Sequence, residues 1–245
     1  MLLWIIGFSI LGSLGAIAGA ALFLFFPDGI RKILLPCLIS YATGTLLGAA
    51  FLGMIPAGLE QAPANPVLAT VLAGMVLFFV LEKLVIWRHC HQADCEIHGH
   101  AAPLILIGDA FHNFVDGVVI AAAFLNSVPL GIATALAVIA HEVPQEVGDF
   151  AILLDNGYNR TKALLLNGLS SSATLPGALM AYFWLGETRE AVPYILAISA
   201  ASFIYIAAAD LIPALNRQVT LAASVRQFVL LLAGIGTIAF FHLGA

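Results

Sequence analysis

The sequence predicts an all-α integral membrane protein, a bundle of eight transmembrane helices in one domain, and three observations carry that prediction. Of the 245 residues 62% are hydrophobic and 9% charged, whereas an average soluble domain carries roughly 25% charged residues. Runs of about 20 apolar residues, enough to cross a hydrocarbon core of about 30 Å as helix, recur from one end of the chain to the other. The connections between the runs are too short to hold a soluble domain, and the chain reads as one membrane domain over residues 1–245. With nine Lys and Arg against fourteen Asp and Glu, scattered among the connections, there is no basic surface of the kind a nucleic acid requires.

The first run lies near Leu2–Phe25 and is closed by Pro27-Asp28-Gly29. It has no basic leading region, and its first positive charges, Arg31 and Lys32, follow it, which argues against a cleaved signal peptide. The second run, near Ile33–Ala57, contains Gly53 and Pro56 and ends in the turn chemistry of Gln61–Pro66. The third spans Val67–Trp87. The fourth, near Pro103–Leu125, meets the fifth, near Leu130–Leu154, at the Asn126-Ser127-Val128-Pro129 corner, and Asp155-Asn156-Gly157 closes the fifth. The last three runs lie near Thr161–Trp184, Pro193–Pro213 and Leu221–Leu243. Pro56, Pro144, Pro176 and Pro213 interrupt them, and such breaks are tolerated at membrane depth only where neighbours or a water-filled cavity satisfy the freed backbone groups.

Eight of the nine Lys and Arg residues flank the odd-numbered connections and Arg189 alone an even one. By the positive-inside rule both termini are outside, in an inner or plasma membrane of the cell. The connection at 88–102 is then cytoplasmic, and its segment Arg88–His100 holds His89, His91, His98, His100, Cys90 and Cys95 beside two acids. Such a ligand set suits a flexible, metal-collecting segment more than a rigid structural zinc site. Glu82 and Lys83 are expected to pair at the interface with the lysine snorkelling, and Ser170–Ser172 with Thr174 to serve mainly as small-residue helix packing.

Inside the membrane, Asp109, Asp116, Glu142, Glu146, Asp149 and Asp210 lie at or near membrane depth, and no Lys or Arg stands mid-span to pair with them. Intramembrane charge marks function and needs a partner. Either the carboxyls hold protons or a cation that is not part of the chain neutralises them, and two histidines in the same helices favour a metal. In the fourth helix Asp109, His112 and Asp116 stand at i, i+3 and i+7 with Asn113 beside them. In the fifth, His141, Gln145 and Asp149 form an i, i+4, i+8 stripe beside Glu142 and Glu146. Counted from the shared corner, His112 and His141 both lie roughly 18–21 Å inward and are level near the bilayer centre. Pro144 frees the carbonyl of Ala140 close by. Imidazole, carboxylate and amide oxygen suit zinc, iron, manganese and similar divalent ions, and the lack of a central sulfur ligand argues against copper(I). Whether one or two ions fit is left open by the spacing.

These residues resemble the ZIP family of divalent-metal transporters. Gly108-Asp-Ala-Phe-His-Asn-Phe-Val-Asp-Gly117 is similar to the family's HNFxDG motif, and His141-Glu-Val-Pro-Gln-Glu-Val-Gly-Asp-Phe150 to its HExPHExGDF motif. Ala42–Phe51, Phe78–Lys83 and Trp87-Arg88-His89 add to the likeness, which covers most of the chain. The resemblance implies a ZIP-like bundle of eight helices that moves a divalent ion toward the cytoplasm by alternating access, with zinc the first expectation and iron, manganese or cadmium the alternatives. It implies His112, Asn113 and Asp116 on the fourth helix and His141, Glu142 and Gln145 on the fifth as ligands. Asp109, Glu146, Asp149, Asp210 and the loop histidines and cysteines are auxiliary or pathway candidates, and a homodimer in the lipid bilayer is implied as well. Position 145 departs from the family's second histidine, and Gly53, Ala57 and Ala214 stand where many relatives carry His or an acid. Two other functions compete. An intramembrane zinc hydrolase would use an HExxH pair, which Gln145 breaks, and a metal-sensing, non-transporting relative is suggested by the departures at Gln145, Gly53 and Ala57.

Overall fold

The computed structural model describes residues 1–89, 101–217 and 220–243, and among them all regular structure is helical. Helix α1 spans Leu2–Leu24, α2 Asp28–Gln61, α3 Ala64–His89, α4 Ala101–Asn126 and α5 Val128–Asp155. The sixth predicted run is two helices, α6a Arg160–Ser171 and α6b Thr174–Glu187. Helix α7 spans Arg189–Leu215 and α8 Leu221–Leu243. Seven continuous helices are long and apolar enough to cross a membrane. The eighth crossing is the broken pair, and its break is a correction to the continuous run expected from hydropathy. Pro176 cannot donate to the carbonyl of Ser172 and its ring crowds that oxygen, so the chain turns at Ser172-Ala173, where Ala173 N–H bonds the carbonyl of Ser170 at 3.0 Å.

Prolines shape α2 and α7 differently. Each carries a π-helical turn, Ala49–Met54 and Ile206–Leu211, immediately before an Ile-Pro-Ala sequence. The wider turn gives the Pro56 and Pro213 rings room against the preceding carbonyls without breaking the helix. In α5, Pro144 is accommodated inside one unbroken α-helix.

The helices pack as two groups, α1, α4, α5 and α6 in one and α2, α3, α7 and α8 in the other, with α5 running along the seam against α2 and α8. Each group contains one crossing made by facing glycines. A Cβ on Gly117 would collide with the backbone oxygen of Thr174, and one on Gly177 with that of Phe114, so α4 and α6b touch backbone to backbone. Gly44 and Gly234 do the same for α2 and α8, against Leu231 and Tyr41. Without a hydrophobic drive between helices in lipid, such close approach is what dispersion and packing require.

The core sits at the α4–α5 corner. Val119–Phe124 and the inward positions of 130–138 are buried together with Ile5, Met54, Leu196 and Phe203. Many of these residues are alanines, which lets the helices close on one another. Toward the opposite end, Ile107, Phe111, Ile152 and Asp210 are exposed.

Candidate metal centre

A single residue, Ser127, separates α4 from α5, and its hydroxyl caps α5 by accepting from the Leu130 N–H at 3.3 Å. The tight corner holds the two helices antiparallel and brings residues at equal distance from it level with each other. His112 and Asp116 of α4 thereby meet His141 and Glu142 of α5. His112 Nε2 lies 3.2 Å from His141 Nε2, 3.3 Å from Glu142 Oε1 and 3.8 Å from Asp116 Oδ2. His141 Nε2 lies 3.3 Å from Asp116 Oδ2 and 3.6 Å from Glu142 Oε1. One ligand atom from each of the four residues lies within 4.8 Å of all the others. A tetrahedral ion with bonds of about 2.0–2.2 Å holds its donor atoms roughly 3.3–3.6 Å apart. The two imidazoles already stand at nearly that separation from each other and from both carboxylates.

The electrostatics point the same way. Asp116, His141 and Glu142 are buried and His112 is 21% exposed. Both oxygens of Asp116 and of Glu142 lack a hydrogen bond of proper geometry, and among the described residues no Lys or Arg pairs with them. An unpaired buried carboxylate costs on the order of several kcal/mol. The His141 ring is fixed by Nδ1–H donating to the carbonyl of Ala137 at 3.0 Å, which leaves Nε2 a free lone pair aimed at His112. A cation between the rings resolves that opposition.

A second group, Asp109, Glu142 and Glu146, also brings donor atoms within 4.8 Å and shares Glu142 with the first. Glu146 is fully buried with neither oxygen hydrogen-bonded, and Asp109 Oδ2 is likewise free. The amides expected as ligands lie beside this group. Asn113 Nδ2 and Gln145 Nε2 both donate to Asp109 Oδ1, at 3.0 and 3.1 Å. Asn113 Oδ1 accepts from Thr174 Oγ1 of α6b at 3.1 Å. Asp149 is half-buried a turn further from the corner, and Asp210 is exposed in the π turn of α7. His89 ends α3. Cys90, His91, Cys95, His98 and His100 lie outside the described residues.

Two expectations of the sequence change here. Glu82 accepts from the Tyr205 hydroxyl of α7 and not from Lys83, whose ammonium sits 5.6 Å above the Phe79 ring. A helix that leaves neighbouring residues about 100° apart around its axis sends the two side chains to different faces. Thr174, assigned to packing, holds Asn113, and Ser171 Oγ reaches the carbonyl of Ser13 in α1 at 3.4 Å. The hydroxyl run Ser170–Thr174 beside a proline was the available signal. Phe203, whose ring centroid lies 5.8 Å from that of His141, closes the site from α7 and had no sequence signal.

The family described as ZIP zinc transporter matches residues 86–242. Human zinc transporter ZIP4 is 45% identical over 112 residues, which is 46% of this chain and 17% of that protein. Zinc transporter ZIP13 of Pongo abelii is 32% identical over 221 residues, covering 84% of this chain and 66% of the relative. Zinc transporter YKE4 of Saccharomyces cerevisiae is 28% identical over 243 residues, 84% of this chain and 70% of its own length. The chain thus spans less than a fifth of the ZIP4 relative and about two thirds of ZIP13.

Proposed function

The chain belongs to the ZIP zinc transporter family, and from that membership we propose that it carries divalent transition-metal ions, zinc first, across a membrane toward the cytoplasm. The single observation that supports this most is the set of four donors on α4 and α5, in which every pair that includes a histidine is 3.2–3.8 Å apart. Two imidazoles and two carboxylates give a neutral site for a divalent ion and favour zinc over manganese and iron in the usual stability order. Gln145 and Asn113, held by Asp109, supply amide oxygens or reorient the carboxylates as the ion passes. Asp109 and Glu146 form the next acidic step through the shared Glu142.

The reaction is displacement of an ion, with no covalent bond made or broken in the chain. For alternating access, the ligand-bearing group α1, α4, α5 and α6 shifts against α2, α3, α7 and α8. The corner end is the outer side and the opposite end the cytoplasmic one, as the Lys and Arg distribution orients the chain. The test is uptake of zinc, and in parallel iron, manganese and cadmium, into liposomes holding the purified chain. Saturable zinc uptake that His141→Ala abolishes supports the carrier. Zinc bound with unchanged affinity but never crossing overturns it in favour of a sensor.

A further inference from the structure

We infer that the chain carries a site for one anionic phospholipid on its basic face, where Arg31 and Arg160 bind the phosphate and a crevice between α1, α5 and α6a takes an acyl chain. The crevice measures about 300 Å³ and lies where α1 and α5 end and α2 and α6a begin. Its walls are hydrocarbon, with Leu24, Phe150, Leu154 and Leu164 among the lining residues. Arg31 and Arg160 stand at its mouth. Arg160 is exposed and opens α6a, whose first-turn N–H groups add a favourable field for an anion. Arg31 is held by an ion pair with the exposed Asp28, and its Nε has no acceptor in the chain.

Apolar walls ending in two guanidiniums match a molecule with a hydrocarbon tail and an anionic head, and a free soluble anion would leave the walls uncovered. The side of the membrane agrees, because these arginines lie among the eight basic residues of the face assigned to the cytoplasm, whose leaflet is anionic. Basic pockets between helices on that side are suited to anionic headgroups. Asp28 offsets the charge of Arg31, and the exposed Arg160 keeps the lining of the crevice net positive.

The crevice also crosses the seam, since Arg31 belongs to α2 and the other walls to the ligand-bearing group. A bound lipid therefore ties the inner ends of the two groups together. That consequence rests on the carrier reading; binding itself does not.

The experiment titrates the full chain in detergent with dioleoylphosphatidylglycerol or dioleoylphosphatidylcholine and reads bound lipid by native mass spectrometry. The phosphatidylglycerol is expected to bind roughly tenfold tighter. Arg31→Gln with Arg160→Gln should bring it to the phosphatidylcholine level, Leu164→Trp should weaken both lipids by filling the crevice, and Arg189→Gln on the opposite face should change neither. Equal binding of the two lipids to the unaltered chain overturns the site. So does a preference that survives the double variant, binding of both lipids left unchanged by Leu164→Trp, or displacement of lipid by inorganic phosphate at equal concentration. Arg160→Gln alone, at an exposed helix start, decides the matter if the double variant does not fold, with a preference reduced severalfold expected and an unchanged one overturning the site. Zinc uptake enters none of these readouts, so failure here and failure of the carrier reading are separable.

Discussion

The two helix groups are built alike and used differently. Each contains a backbone-to-backbone crossing at facing glycines, α4 with α6b in one and α2 with α8 in the other. The ligand cluster, its acidic neighbour and the amides that orient them lie on α4 and α5, backed by Thr174 of α6b. The second group meets the centre with the Phe203 ring, and its α2 packs on α5 nearer the corner, where a Cβ on Gly53 would stand 2.7 Å from Leu130. One group carries the buried carboxylates and imidazoles, and the other faces them with the Phe203 ring and keeps its Asp210 exposed. On the carrier reading, a facing surface that contributes no ligand would let the loaded group slide past it without breaking coordination, as rigid-body access to both sides needs.

The strongest way to break this contrast is to exchange a residue from each group at the same depth. Asp116→Ala should weaken zinc binding by at least about 100-fold, since loss of a supporting contact alone costs 10–100-fold. Phe203→Leu, an apolar exchange, should cost less than about tenfold. Competition with a chelating dye in detergent measures both, and equal losses would end the division of labour. Next come the glycines. Gly117→Ala and Gly44→Ala should each lower stability by about 1–3 kcal/mol by forcing helices apart, seen as a lower thermal midpoint. Only the former should also weaken zinc binding. The smallest effects come from paired hydroxyl deletions. Thr174→Val frees Asn113 and should reduce zinc affinity about tenfold. Tyr41→Phe, which loses a 3.0 Å bond to Thr237 between α2 and α8, should leave affinity unchanged at a cost of about 1 kcal/mol in stability.

Much of this was legible in the sequence because the information is local and periodic. The helical spacing of polar groups put Asp109, His112 and Asp116 on one face of α4 and His141, Gln145 and Asp149 on one face of α5 beside Glu142, and counting from a proline-marked corner made His112 and His141 level. Helix α2 extends beyond its apolar run at both ends because Asp28–Lys32 and Gly58–Gln61 are mostly polar or small yet helical, and hydropathy records apolarity, not helix. The break in α6 was written as Pro176 but could not be told from the tolerated Pro144, since the outcome depends on which neighbour takes the freed carbonyl. Asn113 and Gln145 turning to Asp109 is tertiary, as is Glu82 reaching Tyr205 across 123 positions. The partition into two groups follows from glycine contacts between segments far apart in the chain, for which no single segment carries a sign.

The one-residue corner at Ser127 gives the ligand-bearing hairpin the mechanics of a tuning fork. Its prongs are clamped where Asn126 meets Val128 and joined to the rest of the chain by longer connections at their far ends. A splay of a given angle displaces each level in proportion to its distance from the clamp, so Asp109 and Asp149 part farthest, His112 and His141 less, and Val119 hardly at all. Compliance is thus graded along the hairpin, stiff toward the corner and soft toward the far ends, and on the carrier reading an ion held midway would find its cage easier to spread on the proposed cytoplasmic side.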